Sequence, residues 1–394
     1  WKKSYAVQEM RAALKNTPAS GTAVNDLGNV FIWSAFEYYL RQSTDSYVVY
    51  SPVKYWKAQH LIDRRFIKGY AFNRRHFHTN IDACIMCALW SNEDAQLDSF
   101  TLTGYDIEDG DLVKYPEELS VRRIHEKFSS VYFDKRAFKD DDNDGILCDA
   151  NGLERVKQTS IRCIPVVNKN CVGYMVVYTS GFDNPDLHSY LLVSGKYDGN
   201  GFYMRRDNYL EKLPMFCASR YITYNREWTE RARIMKSGDG VDRFNADVAS
   251  GKLDQWLRKC LLFTCVEMQN HMRSFTGSDG RFYRNELCMD TTNGETVASE
   301  DLKKLVCGED EKRIIDQWNV LLDEAKKTAE YDSSLTYGVY QIFAEIDTSY
   351  KDAEGETVWN NLEVHSALQT LKALVKEYYN KEIVPTLFEY EFLK

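Results

Sequence analysis

The stretch from Asp26 to Trp90 constrains the fold most, because hydrophobic spacing switches there between two periods several times. Asn25-Asp26 offers a capping side chain, and Ile32, Ala35, Phe36, Tyr39 and Leu40 follow at helical spacing. Tyr47-Val48-Val49-Tyr50 is a short β-rich run stopped by Ser51-Pro52. Tyr55 to Arg65 returns to helical spacing through Trp56, His60, Leu61 and Ile62, and Ile67 to Phe72 is β-like. Ala83 to Trp90 is an unbroken apolar run, as expected of a strand covered on both faces. Helices alternating with such strands predict an open α/β sheet, of which this is half.

With 394 residues the chain can hold two or three domains. A net charge of −9 gives no global pull toward nucleic acid, although a DNA reader needs only a local basic cleft. No run of 18 or more apolar residues occurs, so no membrane partner is expected. The 10 cysteines are scattered, several in apolar runs, which predicts free thiols in a reducing compartment and a cytoplasmic location. The chain begins with Trp rather than Met and is expected to be a fragment.

Trp1 to Leu14 reads as an amphipathic helix, 93–118 as acidic and irregular, and Val121 to Ser130 as helical. From Ser160 to about Tyr224 short β-like runs alternate with turn signals: 162–167, 173–179, 190–193 and 201–205. Leu253 to Asn270 reads as a buried helix. In the last third, Ile314, Trp318, Leu321 and Ala325 share one helical face, and Val364, Leu368, Leu371, Val375 and Tyr378 another.

Four motifs are weighed and set aside. Cys84-x-x-Cys87 lacks a second pair at zinc spacing and lies in a strand, where residues three apart face opposite sides, so no metal site is assigned. Asp140, Asp142, Asp144 and Gly145 match half a calcium loop, but its twelfth position is Asn151. Asn184-Pro185 is followed by Asp-Leu, and Gly199-x-Gly201 does not join a buried strand to a helix.

Other segments carry a resemblance. Leu27-Gly28-Asn29-Val30-Phe31-Ile32-Trp33, Tyr47 to Pro52, and Arg75 to Ile85 resemble the later catalytic-domain motifs of amino-methylating adenine DNA methyltransferases. Phe216 to Arg220 and Gly277 to Cys288 resemble the target-recognition part of the large gamma-ordered enzymes of restriction–modification systems. The resemblance implies an α/β and α+β chain. A partial Rossmann-like methyltransferase sheet (1–94) would be followed by a linker or insert (95–159), a mixed α/β target-recognition domain (160–295) and a helical C-terminal region (296–394). It implies double-stranded DNA as partner, together with the missing N-terminal half of the methyltransferase domain.

The family's glycine loop, acidic residue and Asn/Asp-Pro-Pro-aromatic motif are absent from these residues. The resemblance implies that the whole protein uses S-adenosylmethionine for adenine-N6 methylation. The fragment would bind no cofactor, carry no catalytic residue and be inactive alone.

The resemblance makes Phe77 the base-stacking aromatic, the alternative being a core anchor at a strand end. Arg74, Arg75, Arg205, Arg206, Arg220, Arg273, Ser274, Arg281, Tyr283, Arg284 and Asn285 are the candidate DNA-binding residues, since Arg and Asn can read bases or hold phosphate. Basic side chains from 160–285 are expected to line one face of a cleft. A non-catalytic DNA-specificity or adaptor protein is the other reading.

Overall fold

The computed structural model describes residues 4–17, 19, 21–57, 59–73, 84–123, 126–127, 147–148, 164–165, 171–177, 190–193, 200–224, 236–237 and 239–393. The chain is a mixed α/β protein that divides into two compact units, 1–125 with 227–232, and 126–226 with 233–394.

In the first unit, helix α1 (Tyr5–Lys15) precedes α2 (Leu27–Ser34). Asp26 caps α2 by accepting a 2.9 Å hydrogen bond from the Gly28 N–H, and a π-helical turn, Ala35–Tyr39, continues it. A five-stranded sheet follows, built from β1 (Ser46–Pro52), β2 (Arg64–Asn73), β3 (Cys84–Asp94), β4 (Ser99–Glu108) and β5 (Asp111–Arg122). Its order is β1-β3-β2-β4-β5. β3 runs antiparallel to both neighbours, β2 pairs with β4 in parallel, and β4 and β5 form an antiparallel hairpin.

The sheet differs from expectation in three ways. The run ending at Trp90 is covered on one face only: Met86, Ala88 and Trp90 are buried, whereas Ile85, Cys87 and Leu89 are half-buried. An apolar residue at every position hides that alternation, because the open face is apolar too. The helix expected from Tyr55 to Arg65 is a single turn, α3 (Lys54–Lys57), since the chain takes a left-handed turn at His60 (φ 50°) and enters β2. Residues 95–122, expected in a linker, extend the sheet as β4 and β5. The β5 strand also replaces the start of the helix expected at Val121. Their buried residues Phe100, Leu102 and Val121 alternate with Ser, Thr and Arg side chains, and Asp109-Gly110, both at positive φ, makes the tight turn.

The covered face is an aromatic core. Cross-strand neighbours Tyr47, Trp90 and Phe66 lie in one row, and Phe100 and Trp56 close over them. Phe66, Phe100 and Tyr55 meet the Trp90 ring near-perpendicular at centroid distances of 5.4, 5.5 and 6.4 Å, and the Trp90 indole N–H donates to the Tyr55 hydroxyl at 2.8 Å. The other face carries Val48, Tyr50, Cys87, Leu89, Tyr70 and Phe72 half-buried or exposed, with Val48 and Tyr50 54% and 51% accessible.

In the second unit a three-stranded antiparallel sheet has order β7-β6-β8, from β6 (Cys171–Val177), β7 (Tyr190–Leu192) and β8 (Asn200–Arg205). The helices are α4 (Tyr209–Tyr224), α5 (Gly240–Ala249), α6 (Asp254–Val266), α7 (Val297–Leu302), α8 (Glu309–Ala325), α9 (Val339–Glu345), α10 (Leu362–Tyr378) and α11 (Val384–Glu389). A two-stranded hairpin, β9 (Phe275–Thr276) with β10 (Phe282–Tyr283), leaves the segment after α6. The apolar faces read for α8 and α10 are the buried ones. Apart from 227–232, the proposed recognition segment 160–295 falls in the same compact unit as the helical segment 296–394. Among the described residues no helix is long and apolar enough to cross a membrane.

Candidate functional site

Phe77, Arg74 and Arg75 lie outside the described residues, as do the Asp140–Gly145 loop and Asn184-Pro185. The strands flanking Phe77 are described. Asn73 at the end of β2 is opposite Cys84 at the start of β3, so 74–83 connect two adjacent antiparallel strands.

The other candidates fall into two groups. Arg220, Ser274, Tyr283 and Asn285 are buried and used inside the fold. Ser274 exchanges 2.7 Å hydrogen bonds with the backbone of Thr336, donating to its carbonyl and accepting from its N–H. The Tyr283 hydroxyl donates to Asp279 at 2.8 Å, and its ring stacks on Phe275. The Asn285 amide donates to the Met272 carbonyl and accepts from the Leu287 N–H. Gly338 packs so closely on Asn285 that an added Cβ would come within 2.8 Å of its amide nitrogen. These side chains present no reading edge to a duplex.

The second group reaches solvent, and each member has an internal partner. Arg205 pairs with Asp207 at 3.1 Å, Arg206 with Glu286 at 3.0 Å, Arg281 with Asp279 at 3.6 Å, and Arg273 with Glu345. Arg284 donates to the Glu295 and Asn293 carbonyls. Arg206 and the 284–286 segment are thereby brought together. Arg64 and Arg65 in the first unit are likewise paired, with Asp94 and Glu93. Exposed pairs of this kind are worth roughly 0–1 kcal/mol, so phosphate can displace the acid at little cost, but the resting surface is locally neutral. No basic cleft stands out among these residues.

One concavity of the second unit was not legible in the sequence. A cavity of about 710 Å³ is lined by rings from three distant segments: Tyr190 on β7, His271 after α6, and Tyr340 and Phe343 on α9. A backbone hydrogen bond from Leu191 N–H to the Gln269 carbonyl (3.1 Å) and a bridge between Leu191 and Asn270 hold the first two segments together. His271 is sandwiched between Tyr190 and Tyr340, with centroids at 4.2 and 3.8 Å and planes within 19° and 18° of parallel. Gln369, Lys372 and Lys376 come from one face of α10 and complete the wall with Gln269.

Glu267 in the cavity wall is buried and accepts from the Tyr224 hydroxyl and from the Gln269 N–H. Arg220, fully buried on α4, is the opposing charge, with its Nε donating to the Ser219 hydroxyl at 3.2 Å and its guanidinium 5.6 Å from the Phe216 ring centroid. Burial pulls Arg220 below its ordinary pKa and pushes Glu267 above its own, while each charge opposes the other's shift. Burial, reinforced by Arg220, lowers His271 to about 4, so the stacked imidazole is neutral at pH 7. No spacing rule links 190, 271 and 340, which is why only the fold reveals the stack.

No family model, no curated protein and no solved structure matches the chain.

Proposed function

We propose that the chain is the DNA-binding and target-recognition portion of an S-adenosylmethionine-dependent DNA adenine-N6 methyltransferase of the restriction–modification type. The observation that carries this reading is the position of Phe77. It falls in the connection between the adjacent antiparallel strands β2 and β3, where the resembling family sets the aromatic that receives a flipped adenine. A base taken out of the duplex loses its stacking, and an aromatic face returns roughly 1–3 kcal/mol of it. The apolar edge strand β1 supports a companion half-domain that would complete the sheet.

The residues present do not fit the cofactor. β1 passes into α3 through Pro52-Val53 with no glycine at the junction, so the backbone offers no glycine-lined cradle there. No methyl-transfer step is assigned to these residues.

Among the described residues, the local pairing of every solvent-reaching candidate arginine favours a second reading, a non-catalytic DNA-specificity or adaptor protein. Duplex DNA carrying 2-aminopurine at candidate adenine positions separates the two. Base flipping predicts salt-sensitive binding with a rise in 2-aminopurine fluorescence, lost in Phe77→Ala and kept in Phe77→Trp. Salt-sensitive binding without that rise favours the adaptor. No binding to any duplex at low salt rejects both.

A further inference from the structure

We propose that the cavity around Tyr340 is a nucleotide site, taking a purine or pyrimidine ring against the Tyr190–His271–Tyr340 column and its phosphate beside Lys372 and Lys376. The inference rests on the second unit alone and does not depend on the methyltransferase reading.

Four observations select this chemistry. The cavity, about 710 Å³, lies within the roughly 300–1,000 Å³ range of small-molecule sites. Its wall holds Tyr190, His271, Tyr340 and Phe343, with the first three already in parallel planes, the geometry a flat heteroaromatic ring extends. The side-chain amides of Gln269 and Gln369 line the cavity and make no hydrogen bond to another described residue, which leaves donor and acceptor pairs for a base edge. Lys376 forms no ion pair among the described residues, and Lys372, one turn earlier on α10, lies over Phe343 at 5.8 Å.

The charges exclude the competing occupant of an aromatic pocket, an organic cation. Glu267 is the acid in the wall, and Arg220 behind it and Lys372 beside it both oppose its charge, which leaves Lys376 as the surplus. A quaternary ammonium would meet that surplus, whereas a phosphate would relieve it. The neutral imidazole of His271 adds a stacking face without adding charge.

A nucleotide can reach the cavity free in solution or as an unstacked residue of a single strand. Isothermal titration of the full chain with AMP, adenosine and a single-stranded DNA decamer distinguishes them. AMP binding marks a free nucleotide, and decamer binding without AMP binding marks a strand residue. Tyr340→Ala should weaken whichever ligand binds by about tenfold or more, and Tyr340→Phe should keep it within about twofold. Lys376→Gln, a change at an exposed position, should weaken AMP severalfold and leave adenosine unchanged; where only the decamer binds, it should lower the salt dependence. If Tyr340→Ala does not fold, the Lys376→Gln comparison decides alone. The proposal is overturned if none of the three ligands binds at millimolar concentration. It is equally overturned if Tyr340→Ala binds as the parent does, or if Lys376→Gln leaves binding and its salt dependence unchanged.

Discussion

In the sheet unit, Trp90 is met edge-on by Tyr55, Phe66 and Phe100 and is fully buried; in the helical unit, His271 lies flat between two tyrosines at the wall of a cavity. Around the parallel Phe66–Phe100 pair (4.2 Å, 17°), the edge-to-face contacts of Trp90 point ring edges into neighbouring faces and fill space in three directions, so the cluster closes on itself. A parallel column fills space along one axis, and its rim stays available. The same residue types therefore build a core in one unit and a lining in the other. Polar groups follow suit. The Trp90 N–H is matched once, to Tyr55, whereas Glu267 and Arg220 hold charge at the cavity and the neutral Tyr224 hydroxyl donates to Glu267.

The comparison breaks most visibly if Trp90 is not a keystone. Trp90→Ala should cost the sheet unit about 3–5 kcal/mol in urea unfolding, from lost burial and an unfilled void. A cost under 1 kcal/mol would show that the cluster is loosely packed. Arg220→Met should cost the helical unit about 3 kcal/mol at pH 7, because it strands a buried carboxylate. It should cost less at pH 5, where Glu267, raised by burial, takes up a proton more easily. An equal loss at both pH values would mean that Arg220 acts by packing alone.

His271 supplies the third test. Its folded pKa, about 4, is below the ordinary value of 6.5, so the unfolded chain binds the extra proton between those values. The stabilisation is fully present above 6.5 and is lost as pH falls through 4, with a limit of roughly 3 kcal/mol. Glu267 contributes with the opposite sign as pH rises above its ordinary value of 4.5. Comparing stability curves of the parent and His271→Gln isolates the histidine term, and parallel curves from pH 7 to 4 would place His271 in water. The smallest effect belongs to the uncovered face of the sheet, where Val48→Ser should change stability by about 0.5 kcal/mol or less, as urea unfolding would read.

How much of this the sequence disclosed depended on where the relevant neighbours lie in the chain. Val364, Leu368, Leu371, Val375 and Tyr378 declared their face because helix periodicity is local, and all five are buried. Tyr39 and Leu40, read at the same helical spacing as Ile32 and Phe36, are instead exposed and half-buried, because the π-helical turn at Ala35–Tyr39 after α2 changes the residues per turn. β4 and β5 escaped because Thr101, Thr103 and Glu118 on the open side made an alternating pattern look merely polar. The candidate arginines were visible as residue types, but their acids were not: Glu286 lies 80 residues from Arg206, and Glu345 lies 72 from Arg273. The column of Tyr190, His271 and Tyr340 depends wholly on such long-range closure.

Among the described residues, the two margins of the five-stranded sheet are unequally guarded. β5, at one margin, carries Lys114, Glu118 and Arg122, charges that make stacking a further strand against it costly. β1, at the other, reads Ser-Tyr-Val-Val-Tyr-Ser-Pro without a charge, and only the missing N–H of Pro52 interrupts its ladder. At high concentration the β1 of another molecule is one uncharged strand that this margin would meet. Antiparallel pairing of the two around a twofold axis consumes both margins at once. Self-association through this strand therefore stops at a dimer instead of growing into fibres, and one lysine at Val48 or Tyr50 is enough to discourage it.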